Sequence, residues 1–221
     1  TGDVDFLADE DPTFSERGRV LTGHDAGLIT INIAEADPAA RIRMREQMAE
    51  PYRTILGHFR HESGHFYWDR LIASTTWLEP CRQLFGDERQ DYGEALETHY
   101  QNGPRSDWRD HYISAYAASH PWEDWAETFA HYLHIDAGLT TAESIGLRFE
   151  QPADAAGRAA WKPRDNIEIG ETVQSWLGLT LALNAMARSI GQSDLYPFVL
   201  SPKVVEKLDF VHRCIRTAVD A

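Results

Sequence analysis

Five consecutive residues, His61-Glu62-Ser63-Gly64-His65, constrain the fold of this chain more than any other feature. They spell H-E-x-x-H. Histidines at positions i and i+4 project from one face when the backbone between them is an α-helix. Two imidazoles so placed reach a single Zn²⁺ at ~2.0–2.1 Å from each nitrogen. Glu62 projects beside them, where a carboxylate can take a proton from a metal-bound water. With ten histidines in 221 residues, random placement gives roughly 0.03 such matches, so the motif is specific. Its setting agrees, because Tyr52, Ile55, Leu56, Phe59 and Phe66 recur at helical spacing around it. The periodicity predicts a helix that starts near Pro51 and runs to about Ser74.

A catalytic zinc site of this kind keeps three protein ligands and an open position. A continuation through Gly and His, at 68 and 71, is absent, since those positions hold Trp68 and Leu71. A Cys ligand from an upstream Glu-Gly-Cys is also absent, because Cys81 follows the motif in a Glu-Pro-Cys context. Downstream, Pro121–His134 contains Glu123-x-x-Ala126-Glu127, E-x-x-A-E on a second predicted helix. Glu123 and Glu127 are four residues apart and face the same way, so periodicity alone does not choose between them. At N3 of a helix begun by Pro121, Glu123 also has a purely local role as a cap. Ala126 is the small residue expected where this helix approaches the H-E-x-x-H helix. A ligand histidine needs an acceptor for its second ring N–H, and taking Glu123 as ligand leaves Glu127 for that task.

The segments Gly57–His65 and Pro121–His134, with Thr22-Gly23-His24 leading into Leu28–Asp37, resemble a bacterial family of zinc-binding metallopeptidases. The likeness covers most of the chain. E-x-x-A-E resembles the second-helix motif of the gluzincins, and E-x-x-A-E-x-F the lethal-factor-like branch of that group. The resemblance implies a zincin-like fold, one Zn²⁺ per chain, Glu123 as the third ligand and Glu127 as the brace of a ligand histidine. It also implies that Tyr116, seven residues before Glu123, stabilises the oxyanion; His120 is a rival donor. In such proteins a zinc-ribbon segment often precedes the peptidase domain, and no cysteine pair for one is present here.

Other polar residues have ordinary alternatives. Asp69, four residues after His65, is a candidate brace for an imidazole N–H or one half of a surface ion pair. His58, His131 and His134 read first as packed or solvated histidines. Trp122, Trp125, Phe129 and Tyr132 read as core.

The predicted class is α+β, mostly helical: a single zincin-like metallopeptidase domain over residues 1–221 with a small N-terminal sheet. Residues 1–18 read as an extended arm or loop. Arg19–Leu21 and Leu28–Ile33 read as a hairpin or two strands of a small sheet. Further helices are expected at 39–49, 92–100, 107–118, 121–135, 172–190 and 202–219, with a loop over 150–164. The net charge of −14 opposes a nucleic-acid partner. No apolar run approaches the ~20 residues of a membrane span, and the acidic N-terminus is unlike a signal peptide. Cys81 and Cys214 read as unpaired thiols in a reducing, cytoplasmic setting. The expected partner is a peptide or protein substrate, which Leu28–Ile33 would bind by strand pairing if it forms a sheet edge. Two rival functions are a zinc amidase acting on a non-protein amide and a non-catalytic metal-binding interaction domain.

Overall fold

The computed structural model describes residues 3–7, 23–25, 28–32, 54–147 and 168–219. The expected strand Arg19–Leu21, the helix 39–49, the helix start at Pro51, the loop 150–164 and most of the N-terminal arm lie outside these residues. The described architecture is α+β and mostly helical. Three short strands, β1 (Asp3–Leu7), β2 (Gly23–Asp25) and β3 (Leu28–Asn32), form one sheet in the order β1-β3-β2. β2 and β3 pair antiparallel with Asp25 opposite Leu28, whereas β1 pairs parallel with β3. Residues 3–7 are therefore sheet rather than free arm. A parallel partner sits far off in sequence and has no turn signature, which is why local patterning passes over it. Among the described residues β3 is the central strand, with β1 and β2 at the edges, so it is not the edge expected for an added peptide.

The helices are α1 (Ile55–Leu71), α2 (Leu78–Phe85), α3 (Tyr92–Asn102), α4 (Trp108–His111), α5 (Pro121–Ser144), α6 (Ile169–Ser189) and α7 (Pro202–Val219). α1 is shorter at both ends than expected: it begins after an extended Thr54, whose hydroxyl accepts from the Gly57 N–H at 2.9 Å and caps it, and it ends at Leu71 rather than Ser74. The expected helix over 107–118 is broken. α4 ends at an extended Tyr112, and a 3₁₀ turn follows at Tyr116–Ala118. Ser114 explains the break: its hydroxyl accepts from the Ala117 N–H at 3.0 Å and opens a new turn. α2 was not anticipated.

α5 is the axis of the molecule. Its N-cap is His120, whose Nδ1 accepts from the Trp122 N–H at 3.1 Å, and Pro121 occupies the first turn. Both core clusters draw on it. One gathers Ile135 and Leu139 with Val173, Trp176, Val204 and Leu208; the other gathers Trp125 and Phe129 with Ile72, Phe85, Phe210 and Val211. The free cysteines Cys81 and Cys214 are buried together in the second cluster. α1 lies along α5 and also touches β2 and β3. The crossing is close because Gly64 meets Ala126: a Cβ built on Gly64 would sit 2.9 Å from the Ala126 Cα. Trp125, fully buried, donates its indole N–H to the Gly64 carbonyl at 2.8 Å and locks the pair.

Candidate metal centre

The buried face of α1 is polar. Its buried residues are His61, Glu62, Gly64 and His65, whereas Leu56 and Phe59 of the apolar series are exposed. α5 presents Glu123, 1% exposed, to that face. Burying three such groups without partners would cost several kcal/mol, so their arrangement requires an account. His61 Nε2 lies 3.2 Å from His65 Nε2 and 3.0 Å from Glu123 Oε2, and His65 Nε2 lies 3.4 Å from Glu123 Oε1. Two imidazole nitrogens and a carboxylate thus converge, their candidate ligand atoms all within 4.8 Å of one another. Tetrahedral zinc with bonds of ~2.0–2.1 Å sets its donor atoms roughly 3.3 Å apart. The observed spacings bracket that value. Glu123 Oε2 is sealed from solvent and has His61 Nε2 as its near neighbour, at 3.0 Å. A buried carboxylate oxygen and two imidazole nitrogens aimed at a shared point fit a metal-holding group.

The surroundings orient the cluster. Glu127, one turn after Glu123, places Oε1 2.8 Å from His61 Nδ1. An ionised carboxylate only accepts, so Nδ1 carries a proton and Nε2 is the ring atom that faces the cluster. The other Glu127 oxygen accepts from the Ser114 hydroxyl at 2.6 Å. Tyr92, at the start of α3, donates its hydroxyl to Glu123 Oε1 at 2.9 Å. Trp122 packs against His65, with ring centres 4.2 Å apart.

Electrostatics follow from these contacts. Burial opposes charge on Glu123, but His61 and His65 outweigh it and hold the carboxyl well below its usual range. Burial likewise opposes ionisation of Glu127, and the His61 contact brings it down to about 2. Burial disfavours a charged His61, yet Glu123 and Glu127 raise its pKa well above that of a free imidazole. Without a metal, a proton is held on this ring by the two carboxylates. Burial, then the nearby Glu123 charge, pushes the Tyr116 hydroxyl well up, so it stays protonated.

Of the residues expected from sequence, His61, Glu62, His65, Glu123, Glu127 and Tyr116 come together. Glu62 is buried on the same face of α1. The Tyr116 ring centre lies 6.0 Å from that of His61. Asp69 does not join them. It is exposed on α1, and His65 Nδ1, which it would have braced, is buried with no hydrogen bond. The helix carries Asp69 past the cluster to the solvent side. His120 is spent as the α5 cap, its Nε2 reaching the Gln90 carbonyl at 3.2 Å, and is no oxyanion donor. His131 and His134 are buried further along α5, where His131 Nδ1 meets the Tyr196 hydroxyl at 2.9 Å and His134 Nδ1 meets Arg60. Sequence reasoning missed Ser114 and Tyr92. Nothing local marks either; each meets α5 only through the fold.

Fold and site define a mostly helical domain built around a buried group of two histidines and a glutamate that can hold a metal ion. Residues 3–214 match the family described as "Putative zinc-binding metallo-peptidase", and the chain belongs to that family. Uncharacterized proteins from Mycobacterium bovis and from two strains of Mycobacterium tuberculosis are each 48% identical to it over 203 residues. The match covers 91% of this chain and 58% of each relative, so the chain spans less than two thirds of their length. No solved structure matches it. Among the described residues, no helix is long and apolar enough to cross a membrane.

Proposed function

We propose that this chain hydrolyses peptide bonds using one zinc ion held by His61, His65 and Glu123, with Glu62 as the general base. The observation that carries the reading is the convergence of His61 Nε2, His65 Nε2 and a Glu123 oxygen within 4.8 Å, with Glu62 buried on the same helix face. When bound, zinc supplies Lewis-acid polarisation of a carbonyl and lowers the pKa of water. Glu62 accepts the water proton and passes it to the leaving amine. A purely structural site has no use for such a base and closes its fourth position. Glu127 holds the Nδ1 proton of His61, so the ring stays oriented with its lone pair inward. Tyr116, kept protonated, donates to the oxygen that gains negative charge. Peptide or protein is the substrate class, and the net charge of −14 argues against a polyanion.

Incubating the zinc-loaded protein with a diverse peptide library and reading products by mass spectrometry tests the reading. Discrete cleavage products that vanish in Glu62→Gln are expected. No product from any peptide, or equal products from the variant, overturns it. Metal analysis adds a check on the site: about one zinc per chain is expected, and an unchanged content in His65→Ala overturns the ligand assignment.

A further inference from the structure

We propose that Tyr92 is a positioning residue for the metal centre, whose hydroxyl occupies Glu123 Oε1 so that Glu123 offers its other oxygen alone. The proposal rests on the zinc reading above and extends it to a residue outside both motifs. Three observations carry it.

The first is how the two carboxylate oxygens are used. Glu123 Oε1 receives the Tyr92 proton at 2.9 Å and lies 3.4 Å from His65 Nε2, whereas Oε2 is buried and lies nearer the cluster, 3.0 Å from His61 Nε2. A carboxylate with both oxygens free can chelate a cation through both. One whose second oxygen accepts a hydrogen bond binds through the first, and a coordination position stays open for water and substrate.

The second is how Tyr92 gets there. α3 has no buried residue, so no apolar core of its own sets the place of this side chain. Tyr92 keeps 39% of its surface exposed while its hydroxyl reaches Glu123, which keeps 1%. The ring therefore rims the site and only its polar end enters. The start of α3 is pinned from the α5 side: His120 Nε2 meets the Gln90 carbonyl, and the Tyr92 ring stands edge-on to His120 at 5.2 Å. At the same end, Asp91 caps α3 by accepting from the Glu94 N–H at 2.9 Å. His120 thus caps α5 and anchors the residue that bonds Glu123 two positions further on.

The third is a link to Tyr116. The two tyrosine hydroxyls lie close enough to influence one another's ionisation. Tyr92 has one proton and gives it to Glu123. Tyr116 stands by the same group, its ring centre 6.0 Å from that of His61, so the two hydroxyls border one site.

The test compares wild type, Tyr92→Phe and Tyr116→Phe by competition titration with zinc and by the visible absorption of the cobalt-substituted proteins. Tyr92→Phe is expected to bind zinc ~10–100-fold more weakly, the usual effect of losing a hydrogen bond to a ligand. Its cobalt absorption per bound ion is expected to fall, because a second Glu123 oxygen raises the coordination number. Tyr116→Phe leaves the Tyr92–Glu123 bond intact and should stay within a few-fold of wild-type affinity. Tyr92→Leu repeats the removal with a smaller side chain, and thermal unfolding of the metal-free proteins separates a folding defect from a metal effect. Unchanged affinity and spectrum in both Tyr92 variants overturns the proposal while leaving the zinc reading intact. Failure of the wild type to bind zinc or cobalt overturns the zinc reading, and the Tyr92 proposal with it.

Discussion

Glu123 and Glu127 carry the same functional group on the same helix face one turn apart, yet their surroundings separate them. Glu123 faces the Nε2 atoms of both histidines, and Glu127 faces His61 Nδ1 from behind. Alanine at each position is expected to act differently in degree. Glu123→Ala should lose most zinc affinity, whereas Glu127→Ala should weaken it by ~10–100-fold. Zinc-competition titration of the two variants decides, and equal losses would remove the distinction. Glu62→Gln is expected to keep zinc and fold but to lower turnover by about 10²–10⁴-fold or more, the range for losing a positioned base. A variant that cleaves at near wild-type rate would exclude Glu62 as base. His61, Glu62 and His65 were legible because helical periodicity brings i and i+4 together without help from the rest of the chain. Asp69 was misread for the same reason: spacing gave its face but not where the cluster ends. Ser114 and Tyr92 were illegible, since their contacts with Glu127 and Glu123 span 13 and 31 residues.

At the scale of elements, the site exists because α1 and α5 approach closely enough for side chains from both to share one point. Gly64 against Ala126 permits that approach. Gly64→Ala would place a Cβ 2.9 Å from the Ala126 Cα and 3.1 Å from its carbonyl oxygen, backbone atoms that cannot rotate aside. Overpacking costs about 1–3 kcal/mol, while glycine to alanine within a helix returns up to about 1 kcal/mol. The steric effect wins, so thermal stability and zinc affinity should both fall. Gly170→Ala on α6 has nothing within 4 Å of the new Cβ, and should hold or raise stability and leave zinc affinity unchanged. Thermal unfolding and zinc titration of the pair check this; matching behaviour would show that the close crossing does not matter. Element boundaries were readable where capping is local. α7 falls at Pro202–Val219 as the pattern predicts, and Pro121 opens α5. α5 instead runs on to Ser144, because burial against α6 and α7 sustains it beyond the motif. The face of α1 was not readable from its apolar stripe, since the residues it buries are the catalytic candidates and Leu56 lies outside.

For the molecule as a whole, two buried histidines of α5 contribute to the acid limb of stability. His131 is 3% exposed, and burial lowers its pKa to about 4; His134 is lowered to about 3 for the same reason. An unfolded chain restores both to near 6.5. Between these values each ring binds more protons in the unfolded state, so its contribution to stability falls as pH falls, opposed by Asp124, which burial raises to about 7. The contribution is fully present above about pH 6.5 and is lost progressively as pH drops through the folded value near 4. For His131 alone the swing is on the order of 3 kcal/mol, a large share of the 5–15 kcal/mol typical of a domain. Acid also protonates His61 and its partners and so releases metal, which would steepen the same limb. The two effects separate in metal-free protein. There His131→Gln removes the titrating ring while keeping a polar group near the Tyr196 hydroxyl. Chemical denaturation at several pH values between 4 and 6.5 should give a shallower dependence of stability on pH in the variant, whatever its stability at neutral pH. Parallel curves would mean that His131 gains its proton without unfolding the chain, and that its burial does not govern the acid limb.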